Sequence, residues 1–170
     1  TQKRAGKLGN LREALVSHPL PPSSTGIGHT RWATHGGPTD NNAHPHRGGS
    51  DGKLALIHNG IIENFHGLKA KLVDDGVQFT SETDTEVAAH LVARAFEETH
   101  DLTEAMRLAV QDLDGAFTLL AIHADTPGVV VGARRNSPLV VGLGDGENFL
   151  GSDVAAFIGH TRDALELGQD

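Results

Sequence analysis

Two apolar runs constrain this chain more than anything else in it. Residues 116–122 are almost continuously apolar, residues 129–131 are three valines, and Asp125-Thr126-Pro127-Gly128 between them has the composition of a turn. Strands that lack polar alternation must be covered on both faces. The pair is therefore expected to lie between a helix layer and a second sheet. Further strands are expected over 26–33, 53–58, 139–143 and 149–150, with the dipeptide Asn59-Gly60 reading as the turn that ends the second of these.

Helical patterning lies between these blocks. Phe65, Leu68 and Leu72 share one face of a helix that Gly76 ends. Val87, Leu91 and Ala95, with the adjacent Val92 and Phe96, mark a second helix behind the cap-rich Ser81-Glu82-Thr83-Asp84. Met106, Val110 and Leu113 mark a third over 103–113, and a short helix is expected near 153–158. An N-terminal helix should start at Asn10, with Glu13 completing a capping box, and stop at His18-Pro19. Strands, then helices, then strands in blocks imply an α+β architecture of antiparallel sheets with helices outside, not a doubly wound parallel sheet.

At 170 residues the chain has the length of one domain, with no internal repeat or boundary, and can bury roughly 70% of its unfolded surface. It contains no cysteine. Disulfides, thiolate metal sites and a cysteine nucleophile of its own are therefore excluded. Its 14 basic and 22 acidic residues leave a net charge of −8, which argues against nucleic-acid binding. No apolar run has the roughly eighteen residues of a membrane span, and no signal-peptide core is present. A cytoplasmic location is expected.

Polar residues gather in three places. The first is 28–36 with 42–46, the second 57–64, the third 81–86. Arg31 could hold a carboxylate by a two-pronged contact, and Asp84 at a helix start could hold an ammonium. Asn59 and Gly60 offer a side-chain amide and a backbone N–H from adjacent positions, a natural pair for an oxyanion hole. Together these suit a free amino acid whose side-chain carbonyl is attacked.

The segments HTRWATHG, NAHPH, HNGIIENF and SETDTE, in this order, resemble the glutaminase domains of glutamine–fructose-6-phosphate aminotransferases (isomerising), or glucosamine-6-phosphate synthases. DLDGAFTLL and ARRNSPLVVGLGDGENFLGSD extend the resemblance over almost the whole chain. These domains are class II glutamine amidotransferases of the N-terminal-nucleophile hydrolase superfamily. The resemblance implies a four-layer αββα sandwich that releases ammonia from glutamine to convert fructose 6-phosphate to glucosamine 6-phosphate, without a cofactor. In that family an N-terminal cysteine attacks the amide and its own α-amine is the base. Residue by residue, the resemblance implies that Arg31 holds the α-carboxylate and Asp84 the α-amine. It further implies that Thr34 and His35 line the pocket, Asn59 and Gly60 form the oxyanion hole, and Trp32 gates the ammonia passage.

The same resemblance implies that residues 1–170 are a glutaminase domain truncated at both ends. The nucleophile segment would precede Thr1, and the sugar-phosphate isomerase domains, with a homodimer in the full-length protein, would follow. On this reading the chain binds glutamine or glutamate but does not turn it over. A competing reading takes His29, His35, His44, His46 and His58 as ligands of a metal-dependent hydrolase, although Pro45 separates the His-x-His pair and no third ligand motif follows. Trp32 could also be plain core. The glycines at 132, 142, 144 and 146 read as strand-end turns rather than a phosphate loop.

Overall fold

The longest ladder in the protein joins the apolar run to the segment ahead of the helices. The computed structural model describes residues 1–32 and 35–168. In it β2 (Leu54–Ile62) and β3 (Gly115–His123) pair antiparallel along their full length, from Leu54 opposite His123 to Ile62 opposite Gly115. β1 (His46–Gly48) pairs with β2, and β4 (Val131–Arg135) with β3, completing a sheet in the order β1-β2-β3-β4. A second antiparallel sheet follows in the order β6-β5-β7, from β5 (Val140–Leu143), β6 (Asn148–Gly151) and β7 (Ala164–Glu166). The class is α+β, as the block order implies.

Side-chain alternation along β3 shows how it is covered. Phe117, Leu119 and Ala121 are buried in one cluster with Val87, Val92, Phe96, Ala105 and Met106, so that face meets α3 (Asp84–Thr99) and α4 (Leu102–Ala109). On the opposite face the Thr118 hydroxyl donates to the Pro138 carbonyl at 3.0 Å. A Cβ at Gly132 would touch both Leu120 and Leu139. The chain entering β5 therefore packs there, and β3 is covered on both sides as its composition requires.

The helices form where their periodicity places them, with shifted ends. α2 (Phe65–Asp74) runs to the turn before Gly76, which has φ +90°. α4 is capped by Asp101, whose side chain accepts from the N–H groups of Thr103 and Glu104, and it tightens into a 3₁₀ turn over Val110–Asp112 before Leu113. On α3 the buried residues are mostly small: Ala88, Ala89 and Ala93 beside Val87, Val92 and Phe96. That stripe lets β1 lie against the helix backbone, since a Cβ at Gly48 would meet the Ala89 carbonyl oxygen at 2.0 Å.

Four expectations fail. Residues 26–32 form no strand; they run as irregular chain past the end of β2. Asn59-Gly60 is no turn either, for it lies inside β2, opposite Thr118 and Phe117. Gly60 takes φ +122° there, so the freedom that marks a turn dipeptide is used inside a strand that stays paired to Ile62. α1 (Leu8–Ser17) is capped at Lys7 rather than Asn10; the Asn10 amide instead donates to the Ala5 carbonyl at 3.0 Å. The short helix near 153–158 is a single 3₁₀ turn, Val154–Ala156. β1 and β7 had no signature in the sequence, being three residues each.

Candidate active site

A cleft of about 510 Å³ opens where the end of β2, the start of α3 and the irregular segment before residue 33 converge. Arg31, Trp32, Asn59, Gly60 and Asp84 line it, together with His29, His44, His58 and Thr85. His35 is not among the lining residues; its Nδ1 lies 3.9 Å from Asp84 Oδ1 and its ring is edge-on to Phe65. Thr34 lies outside the described residues. Trp32 is 90% exposed, which removes the reading of it as core.

Asp84 is the first residue of α3 and is 2% exposed. Its Oδ2 accepts the backbone N–H of Ile62 at 2.9 Å, tying the helix start to the end of β2. Its Oδ1 has His35 Nδ1 at 3.9 Å, too far for a hydrogen bond. Among the described residues nothing donates to that oxygen. A carboxylate placed at a helix N-terminus is stabilised by the N-terminal dipole, and a nearly buried one with a free oxygen is a receptor for a cation.

Two residues on from Asp84, Glu86 braces the third polar segment. It accepts the N–H and hydroxyl of Thr80 at 2.9 and 2.8 Å, and those of Ser81 at 2.7 and 2.6 Å. Burial pushes its pKa up, but these hydrogen bonds outweigh that and the net shift is downward. Asn42 ties the first polar segment to the third. The Asn42 amide donates to Glu82 at 3.0 Å and to the Gly37 carbonyl at 3.1 Å, while its oxygen accepts the Glu82 N–H at 3.0 Å. The SETDTE segment thus divides its labour: Glu86 holds the Thr80–Ser81 stretch, Glu82 pairs with the Asn42 carboxamide, and Asp84 faces the cleft.

Arg31 is more engaged than its sequence context suggests. Nη2 donates to the carbonyls of His35 and Gly36, and Nη1 to that of Gly37 at 3.1 Å. Both Nη2 hydrogens are therefore held by loop carbonyls. A two-pronged grip on a carboxylate would have to displace one of them, whereas a single contact through Nη1 would not.

The histidines form a packed, neutral group. The His29 and His44 rings lie 4.2 Å apart between centroids. His44 Nδ1 takes the backbone N–H of His58 at 3.3 Å, so its proton resides on Nε2, which faces Thr85 Oγ1 at 3.2 Å. Thr85 Oγ1 is also 3.0 Å from His58 Nδ1. Burial drives the pKa of His44 down to about 2 and that of His58 to about 4, the latter despite the nearby Asp84 carboxylate. His46, 3.1 Å from Thr83 Oγ1, is pushed by burial to about 4. Among the described residues no set of three or more His, Cys, Asp or Glu side chains is arranged to hold a metal ion, and the metal-hydrolase reading finds no support. Sequence reasoning missed the packing role of these histidines and of Thr85; their clustering in HTRWATH and NAHPH was the available signal.

Comparison with known proteins follows the same lines. A family model described as a glutamine amidotransferase domain matches residues 29–159. A glutamine–fructose-6-phosphate aminotransferase (isomerising) of Streptomyces coelicolor is 67% identical over the whole chain, and one of Leifsonia xyli 65%. The chain spans 28% and 27% of those two relatives. Among solved structures, the glutamine phosphoribosylpyrophosphate amidotransferase of B. subtilis, complexed with ADP and GMP, matches with a TM-score of 0.66. It is 31% identical, over 83% of this chain and 30% of that one. A structure described as the allosteric regulatory enzyme of purine biosynthesis matches with a TM-score of 0.68 at 32% identity, with the same coverage. These neighbours bear out the α+β architecture of N-terminal-nucleophile type. Among the described residues no helix is long and apolar enough to cross a membrane.

Proposed function

The chain belongs to the glutamine amidotransferase domain family, and from that membership we propose that its cleft binds free glutamine or glutamate for the release of ammonia from the glutamine side chain. The observation that carries the reading is Asp84 Oδ1, a nearly buried carboxylate oxygen at a cleft wall that receives no hydrogen bond from the described residues. It suits the α-ammonium of an amino acid. Arg31 lies on the same cleft and takes the α-carboxylate through Nη1. The side-chain carbonyl then reaches Asn59 and Gly60, where the carboxamide N–H and the backbone N–H stabilise the charge that develops on its oxygen. In this reading Trp32, exposed on the cleft lining, gates the departing ammonia.

The attacking group in this reading is a thiolate. These 170 residues contain no cysteine, so binding without turnover is the expected behaviour of this chain. Ammonia release from glutamine above a boiled control would overturn that expectation. The likeness to the aminotransferases supports a larger role: a glutaminase domain working with sugar-phosphate isomerase domains, in a homodimeric cytoplasmic enzyme that aminates fructose 6-phosphate.

Calorimetry tests the clamp. A charged hydrogen bond contributes roughly 1.5–3 kcal/mol, so Arg31→Ala and Asp84→Asn should each weaken glutamine binding by about 10–100-fold. Asn at 84 keeps an oxygen for the Ile62 N–H, and thermal unfolding of each variant separates lost binding from lost fold. Folded variants with unchanged affinity would remove the clamp assignment.

A further inference from the structure

An oxyanion hole made from an asparagine side chain works only if the carboxamide presents its N–H groups, and a carboxamide rotated by 180° presents its oxygen instead. Something must choose between these two nearly isosteric orientations. His29 Nε2 lies 2.6 Å from Asn59 Oδ1. A carboxamide oxygen can only accept, so Nε2 carries the proton and donates. Among the described residues no hydrogen bond reaches the buried His29 Nδ1, which is compatible with a bare nitrogen there. Burial also lowers the pKa of this histidine, which keeps it neutral with a single ring proton at pH 7. The ring itself packs at a tilt against His44, which is fixed in turn by the His58 N–H and Thr85.

From this geometry we propose that His29 is a positioning residue that sets the polarity of the Asn59 carboxamide. By occupying Oδ1 from one side, it turns the two Nδ2 hydrogens away from itself, leaving them for a carbonyl oxygen in the cleft that both residues line. Without the donor the carboxamide is free to rotate, and the rotated form sets a lone pair against the substrate oxygen. His29 touches Asn59 and not the reacting atoms. The proposal rests on the glutamine-binding reading above.

The test compares two ligands on this chain. Glutamine has the side-chain carbonyl; 2-aminopentanoate has the same α-ammonium and α-carboxylate but no carbonyl. His29→Phe preserves the packing on His44 without a donor, and His29→Gln restores a donor. His29→Phe is expected to weaken glutamine binding by about tenfold while leaving 2-aminopentanoate within twofold, and His29→Gln to recover most of the loss. Equal loss for both ligands would assign His29 a merely structural role, and no loss for either would remove the proposal. ¹⁵N NMR of the ligand-free chain decides the premise separately: His29 should be the Nε2–H tautomer, and an Nδ1–H tautomer overturns the inference. If the wild type binds neither ligand, the glutamine reading fails, while the tautomer still reports on the Asn59 orientation.

Discussion

Lowering the pH from 6.5 to 4 is expected to strip most of the stability from this protein. His44, His46 and His58 have native pKa values of about 2, 4 and 4, each pushed down by burial from the ordinary 6.5. Because the native pKa is depressed, the unfolded chain binds a proton at each site that the native chain refuses. Stability therefore falls as pH drops through 6.5 and keeps falling until the native pKa is reached. Each such site changes the balance by about 1.4 kcal/mol per pH unit. The charged imidazoles repel one another, so their effects do not simply add, but domains of this size are stable by only roughly 5–15 kcal/mol and a loss of several kcal/mol is large. Glu86, whose net shift is downward, adds loss in the same direction at the acid end. Urea midpoints at pH 7, 6, 5 and 4.5 check this. Equal midpoints at pH 7 and 5 would mean that the three imidazoles are not buried as neutral groups.

Gly60→Ala is expected to destabilise the fold by roughly 4 kcal/mol, by combining backbone strain with overpacking. A Cβ there would lie 2.1 Å from the Ala116 carbonyl oxygen and 2.8 Å from the Phe117 Cα. Both belong to the backbone of β3, the strand that anchors the core, so no flexible side chain can give way. The φ of +122° is itself disfavoured for any residue with a Cβ. Gly67 provides the control. It lies in α2 with nothing within 4 Å of a built Cβ, and its replacement by alanine should add about 1 kcal/mol. Chemical unfolding of the two variants side by side tests the contrast. A Gly60→Ala protein as stable as wild type would mean that β2 and β3 do not approach as closely as described.

How much of this was legible follows from range of interaction. The helices carrying Phe65, Val87 and Met106 were readable because a 3.6-residue apolar period is local information. The α+β architecture followed from block order and from the unbroken apolar run that became β3. Asn59-Gly60 was misread because turn propensity is also local, whereas nine residues of pairing with β3 outweigh what one dipeptide prefers. Residues 26–32 looked like a strand, yet nothing in the described structure pairs with them; a strand exists only where an edge is available to it. β1 is three residues long, too short to show a period, and forms because α3 offers a stripe of alanines for Gly48 to lie on.

For the candidate site, the residue types and their order in the chain came from the sequence alone: arginine and tryptophan at 31 and 32, Asn59 with Gly60, and Asp84 at a helix start. The absence of any thiol came from it as well. Which atoms remain free to meet a ligand was decided only by the tertiary structure. It gives Asp84 Oδ2 to the Ile62 N–H, leaves Oδ1 without a donor among the described residues, engages both Nη2 hydrogens of Arg31 with loop carbonyls, and brings His29, thirty residues away in sequence, against Asn59. Hydrogen-bond capacity is finite and is shared among neighbours in space. A list of donors and acceptors can therefore be read from the chain, but which of them are already satisfied cannot.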